Sequence, residues 1–266
     1  MKKYALAIGL FGGALQAEQN GYFFGIGYQV GGMQEFANSH QSKNQFIQNQ
    51  IAMVNNNPSR PGSTPYVPAF RPGKSQQTAT LNGLNIMLGY RQFFGKKNWF
   101  GLRYYGLFDY NHAQVDLGLY NNNLDLFTWG AGIDALWNVY HKEMCNRHVD
   151  VGFFTGVAIA GQSWKSDLLR KYEHVGKVDP TYVQFIFNFG VRVHWTSASG
   201  VSMSQKGGSS IGAKFKKRLY NVPNYLHGAE YGVRIPTINA PYYTSHGTDV
   251  ELRRVYSIYL NYVFGF

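Results

Sequence analysis

Val183-Gln184-Phe185-Ile186-Phe187-Asn188-Phe189-Gly190-Val191-Arg192-Val193-His194-Trp195 is the stretch that decides the fold. Val183, Phe185, Phe187, Phe189, Val191, Val193 and Trp195 share one face, and Gln184, Asn188, Arg192 and His194 share the other. Side chains alternate sides along a β-strand, so strict period-two alternation is the mark of a strand with two different surroundings. Here the apolar face is unusually aromatic and the other face carries ionic groups.

Seven further segments repeat the pattern. They are Tyr22–Val30, Leu84–Phe94, Phe100–Tyr110, Phe127–Trp137, Val149–Ile159, Ala229–Ile235 and Arg254–Phe266. Five of them have the 9–11 residues that a tilted strand needs to cross a bilayer, Ala229–Ile235 is short, and Arg254–Phe266 is slightly longer. The ionic residues keep one register. Arg91, Arg103, Asp109, Asp134, Asp150, Arg192, Glu230 and Arg234 all fall opposite the apolar face. A lipid-facing Arg or Lys near the bilayer midplane costs about 2–4 kcal/mol, so these eight are expected to face a lumen. Arg254 breaks the register and is read as a strand-end residue.

Composition agrees. The chain has 266 residues, 17% aromatic and only 15% charged, with 31 glycines. No mature stretch reaches the roughly 20 apolar residues of a membrane helix. A soluble all-β sandwich or barrel is the competing reading, since it too alternates. The concentration of Phe, Tyr and Trp near strand ends favours a membrane interface. The expected fold is an all-β, antiparallel, up-and-down transmembrane barrel of eight strands.

The N-terminus fits export. Met1-Lys2-Lys3 is followed by an apolar run from Tyr4 to Leu15, then Gln16-Ala17. This order reads as a signal peptide over residues 1–17, with the barrel occupying 18–266. Cys145 is the single cysteine, so no internal disulfide can form. The formal charge is +11, of which Lys2 and Lys3 belong to the leader. In an exported chain that surplus suits anionic outer-leaflet lipid and lipopolysaccharide, and no nucleic-acid partner is expected. The densest basic cluster, 214–218, reads as a solvated loop.

Connections should alternate short and long. Segment 92–98 is short and 138–148 moderate, whereas 31–80 is long, rich in Asn, Gln and Pro, and read as a surface loop. Segment 196–228 is the misfit, being long on the side where turns should be short.

At the C-terminus Ile258, Leu260, Tyr262, Phe264 and Phe266 alternate up to the last residue. Such an amphipathic end suits strand addition to an open sheet edge, and so reads as a signal to the barrel-assembly machinery. Glu18–Phe23, Gly27–Gly31, Phe187–Val193, Gly232–Asn239 and Arg253–Phe264 together resemble the Helicobacter outer-membrane protein family of porins and adhesins. The resemblance implies a family barrel and brings no catalytic residue with it. The large head of the family's adhesins has only 31–80 in its place.

No cofactor, metal or catalytic site is expected. His112, His174 and His246 stand near Asp109, Asp167 and Asp249 in sequence, but in no nucleophile–base motif. Two roles remain. One is a structural or surface-interaction barrel, adhesin-like, whose outer loops meet lipid or host surface molecules. The other is a narrow porin for small solutes. An eight-stranded barrel is nearly filled by its own side chains, which disfavours a wide pore.

Overall fold

The computed structural model describes residues 20–55, 70–95, 98–116, 121–144, 147–172, 176–197, 225–245 and 247–265. Positions 1–17, 145, 174, 214–218 and 266, which carry several of the expectations above, lie outside them. So does most of 196–228.

Eight long strands form a closed antiparallel ring. They are β1 (Gly21–Ser39), β2 (Gly73–Phe94), β3 (Phe100–Asp116), β4 (Asn121–Met144), β5 (Arg147–Ser166), β7 (Thr181–Ser197), β8 (Tyr225–Pro236) and β10 (Thr248–Gly265). Each pairs with the next, and β10 returns to β1. Closure leaves no strand edge in the ring, which satisfies the backbone where lipid cannot. Two short strands, β6 (Lys177–Val178) and β9 (Ala240–Ser245), strap the end opposite the termini through β10. A helix, α1 (Lys43–Asn55), follows β1.

The alternation fixes which way each side chain points. Phe185, Phe187 and Phe189 are 51%, 53% and 44% exposed, while Arg192 on the same strand is 1% exposed. Phe94, Phe100, Trp137 and Phe153 run ring to ring around the end near the termini, at centroid spacings of 5.1–6.1 Å. Tyr110 and Phe127 meet at 5.2 Å at the other margin of the apolar band. Aromatic girdles at both margins are what a membrane-embedded barrel needs. The tight turn at Gly95 uses a positive φ of 77°, which glycine adopts without steric cost.

Three expectations need correction. First, 31–80 is not one loop. β1 runs on to Ser39, α1 follows, and β2 begins at Gly73. Second, the strands are longer than the apolar alternation, up to 24 residues in β4. At about 3.3 Å per residue and a tilt near 40°, β4 is on the order of 60 Å tall along the axis, against an apolar band of about 25 Å. Third, Arg254 is not a strand-end exception. The register shifts between Gly32 and Met33, whose partners are Tyr256 and Arg254. Val255 is the extra residue, and the bulge turns Arg254 inward, where it is 1% exposed.

The extra length follows one rule. Beyond the apolar band the outward positions become polar: Thr78, Thr80 and Asn82 on β2, and His112, Gln114 and Asp116 on β3. The inward positions become apolar at the same level. Met33, Leu81, Val115, Leu124, Leu126, Trp164, Leu252 and their neighbours form one buried cluster with Phe70, Leu169, Tyr242 and Tyr243. The barrel is inside-out at membrane level and ordinary above it.

Candidate functional site: the ionic lumen and its outer cap

The lumen at membrane level is filled by ionic and aromatic side chains from facing strands. Arg103 on β3 is the hub. Its Nη2 lies 2.6 Å from Asp134 Oδ2 on β4, and its Nη1 lies 2.6 Å from Glu230 Oε2 on β8. The guanidinium plane sits over the Phe154 ring at 4.8 Å, with Phe23 and Tyr105 at 5.5 and 5.4 Å. Three rings thus crowd the cation, and its nitrogens are paired with carboxylates. Arginine suits this role because its planar fork pairs and stacks at once.

A second centre is Asp109 on β3. It accepts from Arg234 Nη1 at 2.7 Å and from Arg254 Nη1 at 3.2 Å. Arg234 stacks on Tyr259 at 4.5 Å, and Arg254 reaches Gln29 Oε1 at 3.2 Å. Asn188 joins the two centres. It donates to Asp134 at 3.1 Å and accepts from Tyr259 at 2.8 Å. Tyr105 completes the layer by donating to Asp134 at 3.1 Å.

Toward the end near the termini the network continues. His194 lies 3.4 Å from Glu230 and 3.3 Å from Arg91. Arg192 donates to Asn138 and stacks on Phe93 at 5.3 Å. His141 Nδ1 lies 2.6 Å from Asp150 Oδ1. Among the described residues this level holds five buried arginines, at 91, 103, 192, 234 and 254, against four buried carboxylates, at 109, 134, 150 and 230.

Glycines make the space. A Cβ on Gly232 would meet Tyr259 Cζ at 2.5 Å, one on Gly132 would meet Tyr105 Cζ at 2.5 Å, and one on Gly190 would meet Phe154 Cζ at 2.6 Å. Each lumen aromatic therefore lies flat over a glycine of the neighbouring strand. The rings stay extended beneath the guanidinium groups and do not stand up into the lumen.

The sequence profile of Helicobacter outer membrane proteins matches residues 85–266, from the middle of β2 to the chain end. The chain belongs to the Helicobacter outer membrane protein family. Among solved structures, the family barrel is similar to Ail, the attachment invasion locus protein of Yersinia pestis, at 10% identity. That comparison covers 92% of this chain and 100% of Ail, with a TM-score of 0.25. Ail in complex with the heparin analogue sucrose octasulfate is similar at 9% identity and a TM-score of 0.26, covering 91% and 99%. A search of curated proteins found no match. The family places the barrel in the outer membrane.

The structure places all eight of the ionic residues named from the sequence inside this family barrel, none more than 3% exposed. It brings Arg103, Asp134 and Glu230 together, and Asp109 with Arg234; Arg91 reaches the first centre through His194, and Asp150 and Arg192 lie nearer the end with the termini. Ile258, Leu260 and Tyr262 face outward at 36%, 60% and 48% exposure. His112 is on the outer wall, 2.9 Å from Asp125. Sequence reasoning missed Arg254, because the bulge is invisible to a fixed period. It also missed Glu35, which alternates with Met33 and Ala37 in a segment whose outward face, Gln34, Phe36 and Asn38, carries no continuous apolar stripe.

Proposed function

We propose that this outer-membrane barrel serves a structural and surface-interaction role of the adhesin-like kind, presenting its outer wall and loops to the surroundings. The packing of the lumen carries this reading. The ionic centres at Arg103 and Asp109 link facing strands, and the apolar cluster around Trp164 and Tyr242 lies above them. A lumen so filled works as a rivet that holds the wall rigid. The strands then lift a polar collar clear of the lipid. Lys74 and Lys165 on that collar suit anionic lipopolysaccharide, and α1, which follows β1, is available to host surface molecules. Residues 1–17 act as the secretory leader, and the C-terminal strand is read by the barrel-assembly machinery. The role is non-enzymatic.

The experiment joins two measurements on purified protein. Replacing residues 43–69 by a short Gly-Ser linker should leave barrel assembly intact and abolish binding to host cells. Binding that survives unchanged removes the adhesive reading. In planar bilayers the intact protein should give no large, stable single-channel step. The runner-up is a narrow anion-preferring channel, favoured by the five buried arginines against four buried carboxylates at membrane level among the described residues. A reproducible anion-selective step would decide for it.

A further inference from the structure

Glu35 is the one buried carboxylate in the cap among the described residues. It lies on β1 above the apolar band, opposite Gln77 of β2 and Leu252 of β10. It is 1% exposed. Oε2 accepts a single long bond, 3.5 Å, from Asn122 Nδ2. Oε1 has no hydrogen-bond partner among the described residues. A carboxylate in such a place is far from satisfied, whereas the neutral acid is tolerable.

Among the described residues the surroundings offer no compensating charge. Inward positions of β2, β3, β4 and β5 at this level are uncharged, among them Val115, Leu124 and Trp164. β9 contributes Tyr242 and Tyr243, both neutral in the physiological range. β10 contributes Arg254, which is directed away, toward Asp109, Thr128 and Gln29. Charges on the same strands, such as Lys74, Asp116, Lys165 and Glu251, are exposed on the outer face of the wall.

Glu35 also touches the knot that ties the cap together. Asn122 Oδ1 accepts from Ser166 Oγ at 2.7 Å and from the Leu168 amide at 3.4 Å. The Ser166 amide donates to the Tyr242 hydroxyl at 3.0 Å. One side chain, Asn122, thereby links β1 to the end of β5 and, through Ser166, to β9.

We propose that Glu35 is a protonation switch of the cap: the neutral acid keeps the apolar cap closed, and its ionisation loosens the cap from the Asn122–Ser166–Tyr242 knot and lets water into the upper lumen. Burial pushes the Glu35 carboxyl from 4.5 up to about 7, against a smaller opposing pull from the Asn122 bond. The sign follows from linkage. The closed cap holds the proton more tightly than an open one in which Glu35 meets water. Closure is therefore fully favoured below pH 4.5 and weakens as pH rises through 7. The span between the two values corresponds to about a 300-fold shift in the closed-to-open ratio at most.

Amide hydrogen exchange on the full chain in detergent micelles, corrected for intrinsic rates, tests this between pH 5 and 9. The cap segments 122–126 and 250–252 should lose up to about tenfold protection across pH 6–8.5, while 187–191 at membrane level holds. In Glu35→Gln the cap protection should stay flat with pH. Flat wild-type protection, or an unchanged transition in Glu35→Gln, overturns the switch. Carbon-13 titration of the wild-type Glu35 carboxyl needs no variant: a midpoint near 7 supports the switch, and one below 5 ends it.

Discussion

Arg103 and Glu230 meet at 2.6 Å across the full width of the barrel. Their strands, β3 and β8, stand four places apart in a ring of eight, so they are diametrically opposed. The contact joins positions 127 residues apart in sequence. An ion pair of this kind holds a cross-section, whereas the ladder hydrogen bonds hold only neighbours.

Arg103 also compensates Asp134, so the two partners are not equivalent. Arg103→Met leaves two buried carboxylates without their cation and should cost about 3–5 kcal/mol. Glu230→Gln leaves Arg103 with Asp134 and should cost less, about 1–3 kcal/mol. Urea midpoints in micelles rank the two; a milder effect from Arg103→Met would contradict the hub.

Glycine substitution separates steric need from composition. Gly232→Ala places a methyl against Tyr259, which must then leave Arg234 and Asn188, at about 1–3 kcal/mol. Gly106→Ala points outward with nothing nearer than 3.9 Å and should be neutral or slightly stabilising. Equal effects at the two sites would show that the glycine beneath the ring does not matter.

The polarity change along each strand predicts where a charge is tolerated. Phe187→Lys, on the lipid face, should cost about 2–4 kcal/mol. Gln76→Lys, on the polar collar of β2, should stay within about 0.5 kcal/mol. Folding equilibria in lipid vesicles measure both, and a tolerated lysine at 187 would move the membrane band elsewhere.

Assembly can be separated from stability at the last strand. Phe266→Ser should lower the amount of protein reaching the outer membrane of expressing cells several-fold. The same variant, purified and refolded in micelles, should match the wild-type urea midpoint. A loss of stability equal to the loss of delivery would reduce the terminal aromatic to a packing residue.

Much of this could be read from the residues in order. The positions of Arg91, Asp134 and Arg192 relative to Phe185–Val193 and its sister strands needed only a period of two and the cost of charge in lipid. Reading stopped where that contrast stopped. Residues 33–39 and 73–80 continue the ladder, but their outward face is Gln34, Phe36, Asn38, Gln76 and Thr78, so no continuous apolar stripe marks them. Arg254 was misplaced for another reason. A one-residue bulge reverses parity, and nothing local to Val255 announces it.

The sequence alone determined the side on which the membrane-level residues lie wherever the ladder runs without a bulge, because alternation is a property of the extended backbone itself. Tertiary structure decided the partners. Arg103 finds Glu230, and Asp109 collects Arg234 and Arg254, only once closure sets eight strands in a ring with one stagger. That stagger is a global property, fixed by all the ladders together. The same closure buries Glu35 among apolar groups, and so turns a residue that looked like loop into a carboxyl with an unusual affinity for its proton.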